Sequence, residues 1–158
     1  MAPKLEDKSR TGRDNQRYGA DGERLVAGLV PLSADKKQVL LIQSSRRNGW
    51  VLPKGGWETD EKTAEDAACR EAWEEAGIIC KVLKDLGKIP DRRGADELTK
   101  HAPRAMFQFF EATVQKEEAK WPEMQKRDRK WMAYTEAKAA LAARPELLEA
   151  LNRSSIVR

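Results

Sequence analysis

The chain is poor in sulfur and imidazole, with two cysteines, Cys69 and Cys80, and one histidine, His101, among 158 residues. These three do not fall at ligand spacing, which argues against a thiolate or imidazole zinc site. Cys69 lies inside a helical pattern and reads as a packing residue rather than a nucleophile. No apolar run approaches the roughly 18 residues that a membrane-spanning helix needs, and no secretory leader pattern is present. These absences predict a soluble intracellular protein, cytoplasmic and also compatible with the nucleus. Internal repeats and low-complexity tracts are missing, and so is the GxxxxGK loop that would cradle a nucleotide's phosphates.

Charge, in contrast, is plentiful. Charged residues make up 35% of the chain, the net charge is +4 and the pI is about 9.1. Yet Glu58, Asp60, Glu61, Glu65, Asp66, Glu71, Glu74 and Glu75 crowd into one short stretch, so the basic excess lies elsewhere. That separation suits a polyanionic ligand held over an acidic metal centre, while a bare basic surface would equally suit nucleic acid. With 40% hydrophobic residues, this length predicts one domain with one core. The expected organisation is a basic, loosely ordered arm over 1–22, a folded domain over 23–152 and a short tail over 153–158.

Local patterning predicts an α/β layered domain. Two apolar runs, 25–30 and 38–42, read as strands, and Trp50-Val51-Leu52 reads as a third that Pro53 ends. Thr63 is placed to cap a helix that Gly77 terminates. Within it, Ala64, Ala68, Ala72 and Ala76 recur at i,i+4 and form a ridge small enough for close packing on a sheet. Further strands are expected over 78–86, over the aromatic segment 105–113 and at Trp131–Tyr134, with a loop at Asp91–Gly94. Residues 136–151 carry an Ala-rich helical pattern that Pro145 divides.

Glu71, Glu74 and Glu75 occupy i, i+3 and i+4 of the first helix, so their side chains share one face. Carboxylates at this spacing repel, and they sit toward the helix C-terminal half, where the macrodipole disfavours negative charge. A divalent cation relieves both costs. Gly55-Gly56 lies just upstream, where a loop can return to the helix and offer backbone carbonyls as further oxygen ligands. Oxygen-only ligation favours Mg2+, with Mn2+ as a substitute. Such a centre predicts hydrolysis of a phosphoanhydride, with one glutamate accepting the proton of water. Spacing alone leaves open which one.

The segment Arg70-Glu71-Ala72-Trp73-Glu74-Glu75-Ala76-Gly77-Ile78 resembles the distal half of the Nudix hydrolase signature: Gly, five residues, Glu, seven residues, then Arg-Glu-apolar-x-Glu-Glu-x-Gly-apolar. Anchored there, the signature glycine is Gly56 and its first glutamate falls at position 62, where Lys62 stands; Glu61 is one place early. The departure concerns that supporting glutamate, not the trio. The wider string Trp50-Val51-Leu52-Pro53-Lys54-Gly55-Gly56-Trp57-Glu58 is similar to the fungal branch of diphosphoinositol polyphosphate phosphohydrolases.

The resemblance implies an α/β/α sandwich with a mixed sheet. It implies Glu71, Glu75 and the Lys54 backbone carbonyl as metal ligands, Glu74 as proton acceptor, and Gly55, Gly56 and Arg70 as supports. It also implies phosphate binding by Ser44, Ser45 and Arg46, and substrate contacts from Arg17, Arg24, Arg104, Arg129 and Arg144. The implied substrates are diphosphoinositol polyphosphates, with diadenosine polyphosphates and inorganic polyphosphate as further ones. The expected protein is a monomer with a highly phosphorylated small-molecule substrate and no stable nucleic-acid or membrane partner. Two alternatives accompany this reading. One is a dinucleoside polyphosphate hydrolase in which Trp57, Phe107 or Trp131 stacks a base. The other is an RNA-binding or decapping protein that uses the run Lys126–Lys130.

Overall fold

The structure is a computed structural model that describes residues 5–45, 49–99 and 103–158. Seven strands form one mixed sheet. They are β1 (Arg24–Leu32), β2 (Gln38–Gln43), β3 (Trp50–Val51), β4 (Lys54–Gly56), β5 (Ile78–Pro90), β6 (Ala105–Glu117) and β7 (Arg129–Ala133). The helices are α1 (Ala64–Ala76), α2 (Tyr134–Ala140) and α3 (Pro145–Arg153). No described helix is long and apolar enough to cross a membrane.

The sheet is organised around β1. Its residues from Val26 to Leu32 are all buried, the unbroken pattern of a strand covered on both faces. Along one edge β1 runs parallel to β6, from Arg24 opposite Ala105 to Leu32 opposite Thr113. Along the other it pairs antiparallel with β4, through Val26, Ala27 and Gly28, and with β2 at Leu32. β2 in turn pairs with β3 and β7, and β5 closes the far edge against β6. This is an α/β fold with a mixed sheet and flanking helices. Leu29, Leu32, Leu40, Leu41, Ile42, Phe109 and Met132 are among its largest fully buried side chains.

Helix α1 begins and ends where its sequence predicts. The Thr63 side chain accepts a hydrogen bond from the Asp66 amide, and Gly77 adopts the left-handed conformation at φ 67°. Ala64, Ala67, Ala68, Ala72 and Ala76 are all buried, so the small-residue ridge lies against the sheet and leaves the glutamate face turned toward the β4 loop. Gly77 answers a second demand, because a Cβ there would lie 2.7 Å from the Trp121 ring. Trp121 Nε1 donates to the Glu75 carbonyl at 3.1 Å, and the Arg129 guanidinium lies 4.1 Å over the Trp121 ring centroid while donating to the Ala76 carbonyl at 2.8 Å. The helix has no basic residue in its own last turn, and Arg129 supplies that positive charge from β7.

Several boundaries differ from the sequence pattern. Lys54–Gly56 is a short strand, paired to β1, rather than a loop. β5 extends to Pro90 because it pairs with β6 through three register shifts, which scramble the inward–outward alternation that marks a strand. Tyr134 opens α2 instead of closing β7, while Pro145 begins α3, so the helical pattern divides there into two pieces as its sequence predicts. In the N-terminal arm, isolated bridges join Gln16 to Glu58 and Tyr18 to Arg24. The Gln16 amide donates to the carbonyls of Arg17 and Leu25, both at 2.8 Å.

Gly77→Ala combines a left-handed backbone with a collision against Trp121, and is expected to cost about 2 kcal/mol of stability. Urea denaturation checks this, and a loss under about 0.5 kcal/mol contradicts the packing described.

Candidate active site and metal centre

Three carboxylates and one backbone carbonyl converge on one buried guanidinium. Arg70 Nε donates to Glu61 Oε2 at 2.7 Å, and its Nη2 donates to Glu61 Oε1 at 3.0 Å and to the Gly56 carbonyl at 2.8 Å. Arg70 Nη1 reaches Glu71 Oε1 at 2.9 Å and Glu74 Oε1 at 3.2 Å. Burial alone would weaken the Arg70 charge, but the hydrogen bonds and charges of Glu61, Glu71 and Glu74 outweigh it and hold its pKa above the ordinary value. The Arg70–Glu61 pair has only 6% of each side chain exposed. Glu61, one position early in sequence, thus makes the supporting contact while Lys62 is exposed. The single-residue offset is absorbed before α1 starts, where Glu61 Oε1 also accepts from the Glu58 amide at 3.0 Å.

The β4 loop brings the other donors to the helix. Gly55 faces Glu71 so closely that a Cβ would collide with its carboxylate. The Lys54 amide donates to Glu75 Oε1 at 3.0 Å, which draws the backbone of β4 onto the acidic face. Arg127 Nη2 lies 3.6 Å from Glu75 Oε2. Burial shifts every member of the trio toward its neutral form. Glu74 is pushed up to about 7 by desolvation, with the neighbouring Glu71 charge adding to it. Glu71 is raised by desolvation against the opposing pull of Arg70, and Glu75 is raised well above the usual range by desolvation together with Glu71. Lys54 is lowered by burial despite the adjacent Glu75.

This donor set fits a hard divalent cation. Every available ligand is oxygen, the glutamates are desolvated and mutually repelling, and a double positive charge removes that cost. Beside the trio, one carboxylate oxygen from each of Glu58, Asp60 and Glu61 comes within 4.8 Å of the others. Asp60 is largely exposed and Glu61 is already held through both oxygens by Arg70. The other carboxylates at this floor are those of Glu58, Glu71, Glu74 and Glu75, each with at least one oxygen already taken by an arginine or a backbone amide. The acidic floor suits Mg2+, with Mn2+ as a substitute.

Above this floor opens a cleft of about 800 Å3. Its lining joins the acidic residues Glu58, Glu71, Glu74, Glu75 and Glu123 to the arginines Arg10, Arg13, Arg24, Arg92, Arg93 and Arg144. A smaller adjoining cleft, about 320 Å3, is lined by Ser44, Ser45, Trp50 and, again, Arg144. Among the residues singled out from sequence, Lys54, Gly55, Gly56, Arg24, Arg70, Glu71, Glu74, Glu75 and Arg144 meet at the main cleft, whereas Ser44 and Ser45 meet at the second. Arg46 lies outside the described residues.

Three arginines take other positions. Arg17 donates to the carbonyls of Glu58, Thr59 and Glu61 and stacks on Trp57, with its guanidinium 4.8 Å from the ring centroid. Arg129 is spent on the α1 terminus and on the Glu118 carbonyl. Arg104 is exposed and donates to the carbonyls of Asp91 and Arg93. Sequence reasoning did not single out Arg10, Arg13, Arg92, Arg93 or Glu123, and it named Arg127 only within the basic run Lys126–Lys130. The tandem Arg92-Arg93 in a predicted loop was the one local signal; the rest depend on tertiary approach. Asp91 holds that loop. Its burial opposes ionisation, but hydrogen bonds from Arg93 and the Ala105 amide bring it down to about 2.

Residues 22–152 match the NUDIX domain family. The chain belongs to the Nudix family, and it is a Nudix-family hydrolase. It is 41% identical over 145 residues to Nudix hydrolase 16, mitochondrial, of Arabidopsis thaliana, a match covering 82% of this chain and 78% of that protein. It is 39% identical over 140 residues to Nudix hydrolase 4 of the same plant, covering 82% of this chain and 65% of that one. Among solved structures, it is similar to a NUDIX hydrolase from Nitrosomonas europaea with a TM-score of 0.69 and 17% identity, covering 83% and 87% of the two chains. It also resembles the C. elegans Ap4A hydrolase with a TM-score of 0.60 and 21% identity, covering 82% and 93%. These structural likenesses establish the Nudix fold.

Two outcomes follow from the site geometry. Glu61→Gln removes the two-point carboxylate partner of the buried Arg70 and is expected to cost about 3 kcal/mol, whereas Lys62→Glu, at the exposed position, should change denaturant stability by less than about 0.5 kcal/mol. Equal effects would deny Glu61 the supporting contact. The second concerns pH. Because Glu74 is raised in the folded chain, the folded state holds more protons than the unfolded one between its ordinary range and about 7. Its contribution is full at low pH and lost as pH rises through about 7. Melting in chelator should therefore show Glu74→Gln more stable than wild type at pH 8 and no more stable at pH 4, with Mg2+ narrowing the difference.

Proposed function

We propose that this hydrolase cleaves phosphoanhydride bonds in diphosphoinositol polyphosphates, releasing orthophosphate, and that diadenosine polyphosphates and inorganic polyphosphate are further substrates. Family membership and the acidic floor support the general chemistry. The observation that supports the finer reading is that six arginines besides Arg70 line the same cleft as the glutamate trio, although Glu97 and Glu146 line it too, which suits a ligand bearing several phosphates and one bond to cut.

In this reading Glu71, Glu75 and the Lys54 carbonyl hold the cation, and a bound Mg2+ or Mn2+ supplies charge neutralisation and a more acidic water. Glu74 accepts the proton of the attacking water; its acidity, displaced toward neutrality, matches that task. Arg70 keeps Glu71 and Glu74 at fixed positions and Gly55 leaves Glu71 room. Arg24 and Arg144, with Ser44 and Ser45 of the second cleft, bind the phosphates that are not cleaved, and Arg46 joins them by resemblance. Arg17, Arg104 and Arg129 are better read as positioning residues, since their guanidinium groups are engaged with backbone carbonyls.

One observation favours a second reading, dinucleoside polyphosphate hydrolysis. Trp50 lines the smaller cleft and offers a ring next to Ser44, Ser45 and Arg144. The residues considered earlier for base stacking are less available: Trp57 is stacked by Arg17 and Phe107 is buried. The RNA-binding alternative loses its footing. Within the run Lys126–Lys130, Arg127 pairs with Glu123 and Glu75, Arg129 caps α1 and Lys130 pairs with Glu136.

A kinetic panel of diphosphoinositol phosphates, diadenosine polyphosphates, capped RNA and polyphosphate with Mg2+ tests the proposal. The expected result is the highest kcat/KM on diphosphoinositol phosphates. Glu74→Gln should lower kcat roughly 10^2–10^4-fold with the fold intact by circular dichroism, and Arg144→Ala should weaken densely phosphorylated substrates more than sparse ones. A preference for dinucleoside polyphosphates that Trp50→Ala abolishes supports the second reading instead, and near-normal turnover by Glu74→Gln removes its assigned role.

A further inference from the structure

Residues 6–10 of the N-terminal arm cross the acidic face, and every anchor they use belongs to the site or adjoins it. Trp73 Nε1 donates to the Glu6 carbonyl at 2.9 Å. Ser9 Oγ donates to Glu123 Oε2 at 2.6 Å, and the Arg10 amide donates to Glu74 Oε2 at 3.2 Å. The Arg10 guanidinium then spans Glu58 at 2.6 Å and Asp60 at 2.8 Å. One end of the segment is tied to α1, and the other to the loop between β4 and α1.

We propose that this segment is a displaceable cover: residues 6–10, held at Glu58 and Glu74, and a divalent cation, held at the neighbouring Glu71 and Glu75, compete for one acidic floor, so loading the cation opens the arm. The inference rests on the acidic floor being the cation site of the proposed function. Its physical basis is that both occupants place positive charge or a donor against the same cluster of carboxylates. Arg10 places a positive charge against Glu58, so an incoming cation meets a like charge that repels it, and the Arg10 amide takes the Glu74 oxygen not engaged by Arg70. The anchors of the cover are mostly single hydrogen bonds at partly exposed groups, with Glu6 itself exposed, the low-stability class of contact that opens locally. Linkage requires the competition to be reciprocal: whatever factor the cation takes from closure of the cover, the cover takes from the cation's affinity.

The test uses the full-length chain and Mn2+ without substrate. Hydrogen exchange at residues 5–13 is followed with and without Mn2+, and Mn2+ affinity is measured by calorimetry for wild type, Arg10→Ala and Trp73→Phe. Trp73→Phe removes an anchor without changing charge; Ser9→Ala replaces it if that variant melts early. Mn2+ is expected to speed exchange at residues 6–10, and both variants should bind Mn2+ more tightly, roughly fivefold for Arg10→Ala. Unchanged or slower exchange overturns the cover. Tightening by Arg10→Ala alone also overturns it, since that is a charge effect at Glu58 with no opening of the arm. If Mn2+ binds and opens the arm while no phosphoanhydride is hydrolysed, the functional reading fails and the cover stands.

Discussion

A buried positive charge is the constraint on which this site depends. Arg70 cannot lie almost fully inside the protein without partners, and its partners come from three places: Glu61 before the helix, Glu71 and Glu74 on it, and the Gly56 carbonyl of β4. One side chain therefore gathers the loop, the strand and the helix. Gly55 completes the junction, since any side chain there would occupy the volume of the Glu71 carboxylate. The strained electrostatics of the floor and the rigidity of its frame have a common origin in this contact.

The C-terminal end of α1 is stabilised by a separate set of contacts. Trp121 binds the Glu75 carbonyl, the Glu123 amide donates to the Glu74 carbonyl at 3.1 Å, and Arg129 covers the Ala76 carbonyl. Terminal carbonyls that the helix leaves unpaired are thus satisfied by the loop between β6 and β7. That loop also delivers Glu123 and Arg127 to the acidic face, so the cap of the helix and the edge of the cleft are one piece of chain. Repelling glutamates near a helix C-terminus are tolerated because Arg70 within the helix, and Arg127 and Arg129 from outside it, bring positive charge to them.

Much of this was legible before any coordinates. The cap at Thr63, the stop at Gly77 and the alanine ridge depend on neighbours within one helix, and local rules suffice for them. The spacing of Glu71, Glu74 and Glu75 likewise placed the acidic face. What was illegible depends on approach across the chain. Glu61 meets Arg70 because the segment between β4 and α1 folds back, which no fixed spacing reveals. Arg17 and Arg129, matched to substrate-binding positions by resemblance, are turned toward carbonyls. Arg10 arrives from a polar arm that had no periodicity to read, and the bulges of β5 hid its length.

Arg144 stands between the two clefts and lines both. A molecule with groups in each cleft is held twice by one framework, and its second foothold is gained at the high effective concentration created by the first. Reach then becomes a graded property of the ligand. Under the proposed function, compounds of equal charge but unequal span would be sorted by whether they bridge this post, with a single arginine serving as a ruler for length.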